Sequence, residues 1–207
     1  ETLFFMYFAQ GFCMDIPRLR CILVCLLLSA LMLCGCTTKA AQSEDMSQQT
    51  FAMGTVFDMR VIGQGPEVKL NVLSRSLAET DQLISYRKKD SVPDAFNTMG
   101  QADISEIKDL IEMTLDVSDR SEGAFDPTVL PVSVLWGFDR MQEADYDVSE
   151  MKVPDSEDIE EAVLKVDHSA LKIEENLLVS QKPDLKIELG AIGKGYAIDR
   201  AVDLVMD

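Results

Sequence analysis

Apolar side chains recur along this chain with two periods, and the switch between them predicts its elements. From Phe51 to Gly63, Phe57, Met59 and Val61 alternate with Asp58 and Arg60, a half-buried strand that Gly63-Gln64-Gly65-Pro66 stops. Leu70, Leu73 and Leu77, then Leu83 and Ile84, follow at roughly helical spacing, so an amphipathic helix is expected over Glu67–Ser85, docked on that strand. Asp103 followed by Glu106 makes a capping-box pattern, and Ile107, Leu110, Ile111, Thr114 and Val117 mark the face of a second helix ending near Gly123. A third begins at Ser156, where Glu157 and Asp158 suit the positive end of a helix and Ile159, Val163 and Leu164 supply a buried stripe. Ala170–Ser180 reads as a hairpin turning at Glu175-Asn176, Lys186–Leu189 as a short strand, and Gly190–Gly195 as a loop. A last helix carries Ile198, Ala201, Val202 and Val205 on one face. The chain stops inside it, and its apolar face needs a partner, so a C-terminal part is expected to be missing.

The first 50 residues follow neither period. Met14-Asp-Ile-Pro-Arg-Leu-Arg20 is basic, and Cys21 to Leu33 are thirteen residues without a charge. As a helix that run spans roughly 20 Å, short of a hydrocarbon core of about 30 Å, so it reads as an export signal rather than a membrane span. It ends in Leu33-Cys34-Gly35-Cys36, which resembles a bacterial lipoprotein cleavage box; a plain secretory signal with an accidental cysteine is the other reading. Cys36 would become the lipidated N-terminus, tethering the protein outside the cytoplasmic membrane, on its periplasmic side. Residues 1–13 precede a methionine able to initiate and look like upstream translation. The expected organisation is residues 1–35 as upstream residues plus signal, 36–50 as a polar tether, and 51–207 as the folded part.

Composition narrows the chemistry. All five cysteines, the last being Cys36, lie at the front, so the folded part has no thiol for a disulfide, a thiolate metal site or a cysteine nucleophile. Thirty-six acidic against 19 basic residues give a net charge of −17, which repels phosphate backbones and excludes a nucleic-acid binder.

Three segments could carry chemistry. Glu188-Leu-Gly-Ala-Ile-Gly-Lys-Gly-Tyr-Ala-Ile-Asp199 puts three glycines between a strand and a helix. It serves either as a tight turn or as a seat for a phosphate, with helix-start amides and the Lys194 ammonium around the anion; it is neither a Walker loop nor a GxGxxG fingerprint. Gly123-Ala-Phe-Asp-Pro-Thr128 reads as a helix stop, or as a ligand contact in which Asp126 accepts hydrogen bonds and the Ala124 and Phe125 backbone faces the ligand. Met53-Gly54-Thr55 reads as a bulge, or as a place where a flat ligand approaches the strand. Trp136 is assigned to packing and His168 to a satisfied or surface histidine.

Taken in order, these pieces resemble the ApbE family of FAD:protein FMN transferases: Met53-Gly-Thr55; Ile84-Ser-Tyr86 with Ser91 and Asn97; Gly123-Ala-Phe-Asp-Pro-Thr128 with Leu135-Trp-Gly137; and the Glu188–Asp199 segment. The resemblance covers the family's N-terminal half. It implies an α+β fold, a mixed sheet with packed helices of T-fold-like type, truncated at its C-terminus, with the flavin between strand ends and the glycine-rich bend. It implies FAD contacts at Met53, Tyr86, Ala124, Phe125, Asp126, Glu188 and Lys194, and a magnesium-ligating carbonyl at Ala191. The implied activity is magnesium-dependent transfer of FMN from FAD to a threonine or serine hydroxyl of a membrane flavoprotein subunit, releasing AMP, with no nucleophile from the enzyme itself. Expected acceptors are subunits of sodium-pumping NADH:quinone reductase or Rnf-type complexes. The family's other metal ligands belong to its C-terminal half, so this piece by itself is expected to have little activity. A non-catalytic exported flavin-binding lipoprotein is the competing reading.

Overall fold

The computed structural model describes residues 44–140, 147, 149 and 151–206. Strands β1 (Glu44–Ala52) and β2 (Thr55–Gly63) form an antiparallel hairpin in which Ala52 pairs with Thr55 and Glu44 with Gly63. Met53 and Gly54 both have positive φ, 49° and 70°, the two-residue turn whose twist matches that of the strands. A methionine there sits in a left-handed conformation costing roughly 1–2 kcal/mol. Strand β1 thus takes in residues 44–50 of the segment expected to be a polar tether; they lack an apolar period because most of them are exposed in β1. Ladder hydrogen bonds, not burial, define this strand.

Helix α1 (Pro66–Ile84) follows, entered through Gly65 at φ 59° with proline in its first turn. Leu70, Leu73 and Leu77 pack under the hairpin with Phe57, Met59 and Val61, as the spacing predicts. Helix α2 (Val92–Met99), capped by Ser91 Oγ accepting from the Asp94 amide at 3.1 Å, and the short β3 (Gln101–Asp103) lead to α3 (Lys108–Arg120). The capping box misplaces the start of α3. Asp103 Oδ1 accepts from the Ser105 amide at 2.8 Å, one turn upstream.

Helices α4 (Leu130–Leu135) and α5 (Ser156–Val163) pack on each other. Only Ala162 of α5 is buried; Val163 and Leu164, expected in a buried stripe, face solvent, Leu164 at 79% exposure, because a two-turn helix packed on α4 covers a narrow face. Strands β4 (Leu171–Glu174) and β5 (Leu177–Ser180) form the expected hairpin, turning at Glu175 with φ 56°, and β3 adds to β5, giving the antiparallel order β3-β5-β4. The main core lies between this sheet and α2 and α3, around Phe96, Ile104, Ile107, Leu110 and Leu178. Among the described residues the result is α+β, with two small antiparallel sheets rather than the one mixed sheet expected.

Two further expectations fail at the end of the chain. Lys186–Leu189 is not a strand, although Leu185, Ile187 and Leu189 are buried in strict alternation. Its partner is a side chain: Asn97 Oδ1 accepts from the Ile187 amide at 2.7 Å, and Asn97 Nδ2 donates to the Ile187 carbonyl at 3.0 Å. The asparagine amide thereby copies the bonds a neighbouring strand would make. Nor is Gly190–Gly195 a loop, since it forms the first turns of α6 (Gly190–Met206). Gly193, Ala197 and Ala201 lie on the buried side of α6, while Ile198 and Val202, on the face expected to need a further partner, are exposed. A Cβ on Gly193 would stand 2.4 Å from Ile84 Cδ1, so this glycine sets how closely α6 approaches α1.

Candidate functional site

A cleft of about 730 Å³ opens where three elements end. The β1–β2 turn contributes Phe51 to Gly54, the end of α1 gives Asp81, Ile84 and Ser85 with Tyr86, Arg87 and Lys88 beyond it, and the start of α6 gives Gly190, Gly193 and Lys194 beside Glu188; Asp139 completes the wall. Met53 is pinned at the turn by packing against both hydrophobic clusters.

Charge in the cleft is mostly committed to the fold. The Arg87 guanidinium lies 4.6 Å from the Tyr86 ring centroid and donates to the backbone carbonyls of Phe138 and Asp139 at 3.0–3.2 Å. Lys88 pairs with Asp81 at 3.6 Å. Glu188 donates its amide to the Pro127 carbonyl at 2.8 Å and accepts from Ser133 Oγ at 2.9 Å. Lys194 is exposed and makes a single 3.1 Å bond to the Gly190 carbonyl of its own helix, leaving it the basic group most able to turn to an anion. Burial pushes the Tyr86 phenol above its ordinary range; Arg87 opposes this, and the charges of Glu188 and Asp139 add to it. At neutral pH Tyr86 is therefore a hydrogen-bond donor.

Of the residues singled out from sequence, Met53, Tyr86, Glu188 and Lys194 meet in this cleft. Ala124, Phe125 and Asp126 are not among its lining; the neighbouring Pro127 carbonyl accepts from the Glu188 amide at the cleft. Asp126 faces the protein. Its Oδ1 accepts from the amide and hydroxyl of Thr128 at 2.7 and 2.6 Å, and its Oδ2 from the amide of His168 at 3.0 Å, with His168 Nδ1 also at 3.0 Å. The carboxylate expected to accept from a ligand is instead filled by the fold. His168 is the satisfied histidine expected, its Nε2 lying 3.3 Å from Asp119.

Ala191 is exposed in the first turn of α6 and outside the lining, and among the described residues no group of three histidine, cysteine, aspartate or glutamate side chains could hold a metal ion. These residues do not by themselves fit a magnesium site. Cys36 lies outside the described residues. Sequence reasoning missed Asp139 and gave no role to Arg87. The one signal was the basic run Arg87-Lys88-Lys89 in an otherwise acidic chain.

The ApbE family profile matches residues 53–207. The chain is 28% identical over 199 residues to the FAD:protein FMN transferase of Escherichia coli K12, and 30% identical over 187 residues to that of Vibrio cholerae. These alignments cover 88% and 86% of this chain but 55% and 53% of the relatives, so the chain spans about half the length of the curated relatives it matches. Among solved structures, the ApbE protein of Thermotoga maritima superposes with a TM-score of 0.70 at 28% identity, covering 79% of this chain and 53% of that one. The flavin transferase ApbE of Vibrio cholerae gives 0.68 at 27%, covering 79% and 54%. The profile match over residues 53–207, together with this likeness of fold, shows that the chain belongs to the ApbE family.

Proposed function

We propose that this cleft binds FAD and that the protein serves in the transfer of FMN from FAD to a hydroxyl of an acceptor flavoprotein. The observation that supports this best is the convergence of Lys194 and the glycine-rich start of α6 with Tyr86 and the Met53 turn around one open space. Amides of a helix start and an uncommitted ammonium suit the diphosphate, and an aromatic ring beside a strand turn suits a flat heterocycle. The acceptor oxygen attacks the phosphorus on the FMN side, the bridging P–O bond breaks, AMP leaves, and the hydroxyl proton is released. The chain's own part is to position the groups and to offset negative charge through Lys194.

Dependence on magnesium, lipidation at Cys36 with anchoring to the periplasmic face of the membrane, and acceptors of the sodium-pumping or Rnf type belong to the same reading, by resemblance to the family. Magnesium would need oxygen ligands besides the Ala191 carbonyl, so no step is assigned to it. The competing reading is flavin binding without transfer, which needs the FAD contacts but no metal.

Incubating the protein with FAD, magnesium and a threonine-bearing acceptor separates the two. Transfer gives an acceptor band fluorescent under denaturing electrophoresis, together with released AMP. FAD uptake with neither product, by a protein extended to the length of its relatives, supports the binding reading and overturns transfer.

A further inference from the structure

Three carboxylates line the cleft, and they differ in their partners. Asp81 has the Lys88 ammonium, and Glu188 has the Ser133 hydroxyl. Asp139 Oδ1 is closed off from solvent and has no hydrogen-bond partner among the described residues. The backbone at this position is fixed, because Arg87 holds the carbonyls of both Phe138 and Asp139. That guanidinium is spent on main chain rather than on the adjacent carboxylate. A shut-in acceptor without a donor carries its full desolvation penalty, which a ligand supplying the donor removes.

The chemistry of the missing donor can be narrowed. A phosphate would meet like charge at Asp139. A metal ion would find no cluster of ligands among the described residues and a guanidinium next door. An uncharged O–H or N–H group meets neither objection. We propose that Asp139 is a ligand-binding residue, its carboxylate accepting a hydrogen bond from an uncharged hydroxyl or N–H of the flavin dinucleotide. The diphosphate is thereby kept toward Lys194. The final torsion of an aspartate is soft, so the carboxylate turns to meet the donor at small cost. This rests on the flavin reading above. The donor lies either in the flavin half, as a ring N–H or a ribityl hydroxyl, or in the adenosine half, as a ribose hydroxyl or the amino group.

Calorimetric titration of the purified protein with FAD, FMN and ADP tests it, using wild type, Asp139→Ala and Asp139→Asn. Asp139→Ala should weaken FAD about tenfold, and Asp139→Asn, which keeps an acceptor oxygen, should recover most of that loss. The loss should appear with FMN alone if the donor is in the flavin half, or with ADP alone if it is in the adenosine half. FAD bound equally by wild type and Asp139→Ala overturns the assignment and leaves the flavin reading standing. Equal weakening of FMN and ADP also overturns it, since a disturbed cleft then explains the loss. A wild type that takes up no FAD overturns both. Should Asp139→Ala fail to fold, Asp139→Ser carries the same comparison.

Discussion

Asp126 and Lys194 both belong to segments that look ligand-directed in the sequence, yet they stand in opposite situations. Asp126 is nearly enclosed, with an 11% exposed side chain, and is bonded to Thr128 and His168. Replacing it with alanine strands several donors and should destabilise the fold by about 3 kcal/mol, read as a lower urea midpoint. Lys194 is exposed and bonded only to its own helix. Lys194→Ala should leave the urea midpoint unchanged and weaken FAD about tenfold, by the loss of one charge-assisted contact. Residue types and spacing marked both positions. What they could not reveal is that His168, 42 positions later, arrives to fill the Asp126 carboxylate.

The glycines of α6 show the same division among elements. All three fall within one motif, but a Cβ at Gly193 would strike Ile84, while a Cβ at Gly195 meets nothing within 4 Å. Gly193→Ala should lower stability by about 1–3 kcal/mol through overpacking, and Gly195→Ala should raise it by about 0.5–1 kcal/mol by helix propensity, both measurable by thermal unfolding. A second prediction concerns the link between the turn after β5 and the turn before β4. Lys182 bonds Asp167 there, and with Ser169 it holds the Asp167 carboxyl down at about 2 against an ordinary 3.8. A depressed carboxylate contributes its stability above the unfolded-state value, so that contribution should fade as pH drops from about 4 through about 2. Asp167→Asn should remove this acid-limb dependence in unfolding midpoints taken against pH. The helices over Pro66–Ile84, Lys108–Arg120 and Ser156–Val163 and the β4–β5 hairpin were legible because their signals are local. The Lys186–Leu189 segment was misread because alternating burial reports a buried extended chain, and whether its partner is a strand or the amide of Asn97 is not written locally.

Across the whole molecule, net charge sets how a ligand arrives. A protein at −17 repels an anionic dinucleotide at long range, while the contact at Lys194 acts only at short range. Added salt screens the long-range part first, so FAD association should quicken as ionic strength rises, the opposite of a basic protein; stopped-flow flavin fluorescence at several salt concentrations would show it, and a slowing would contradict it. The sequence by itself determined the long helices, the β4–β5 turn, the family motifs and the acidic balance, because periodicity, turn chemistry and charge are properties of neighbouring residues. Tertiary structure decided which motif residues share a cleft and which brace it. It paired Glu44–Thr50 into β1, wound the glycine bend into a helix against Ile84, turned Asp126 inward, and left Asp139 Oδ1 without a donor among the described residues. Each of those outcomes depends on groups far apart in the chain meeting in space, and no local pattern records such meetings.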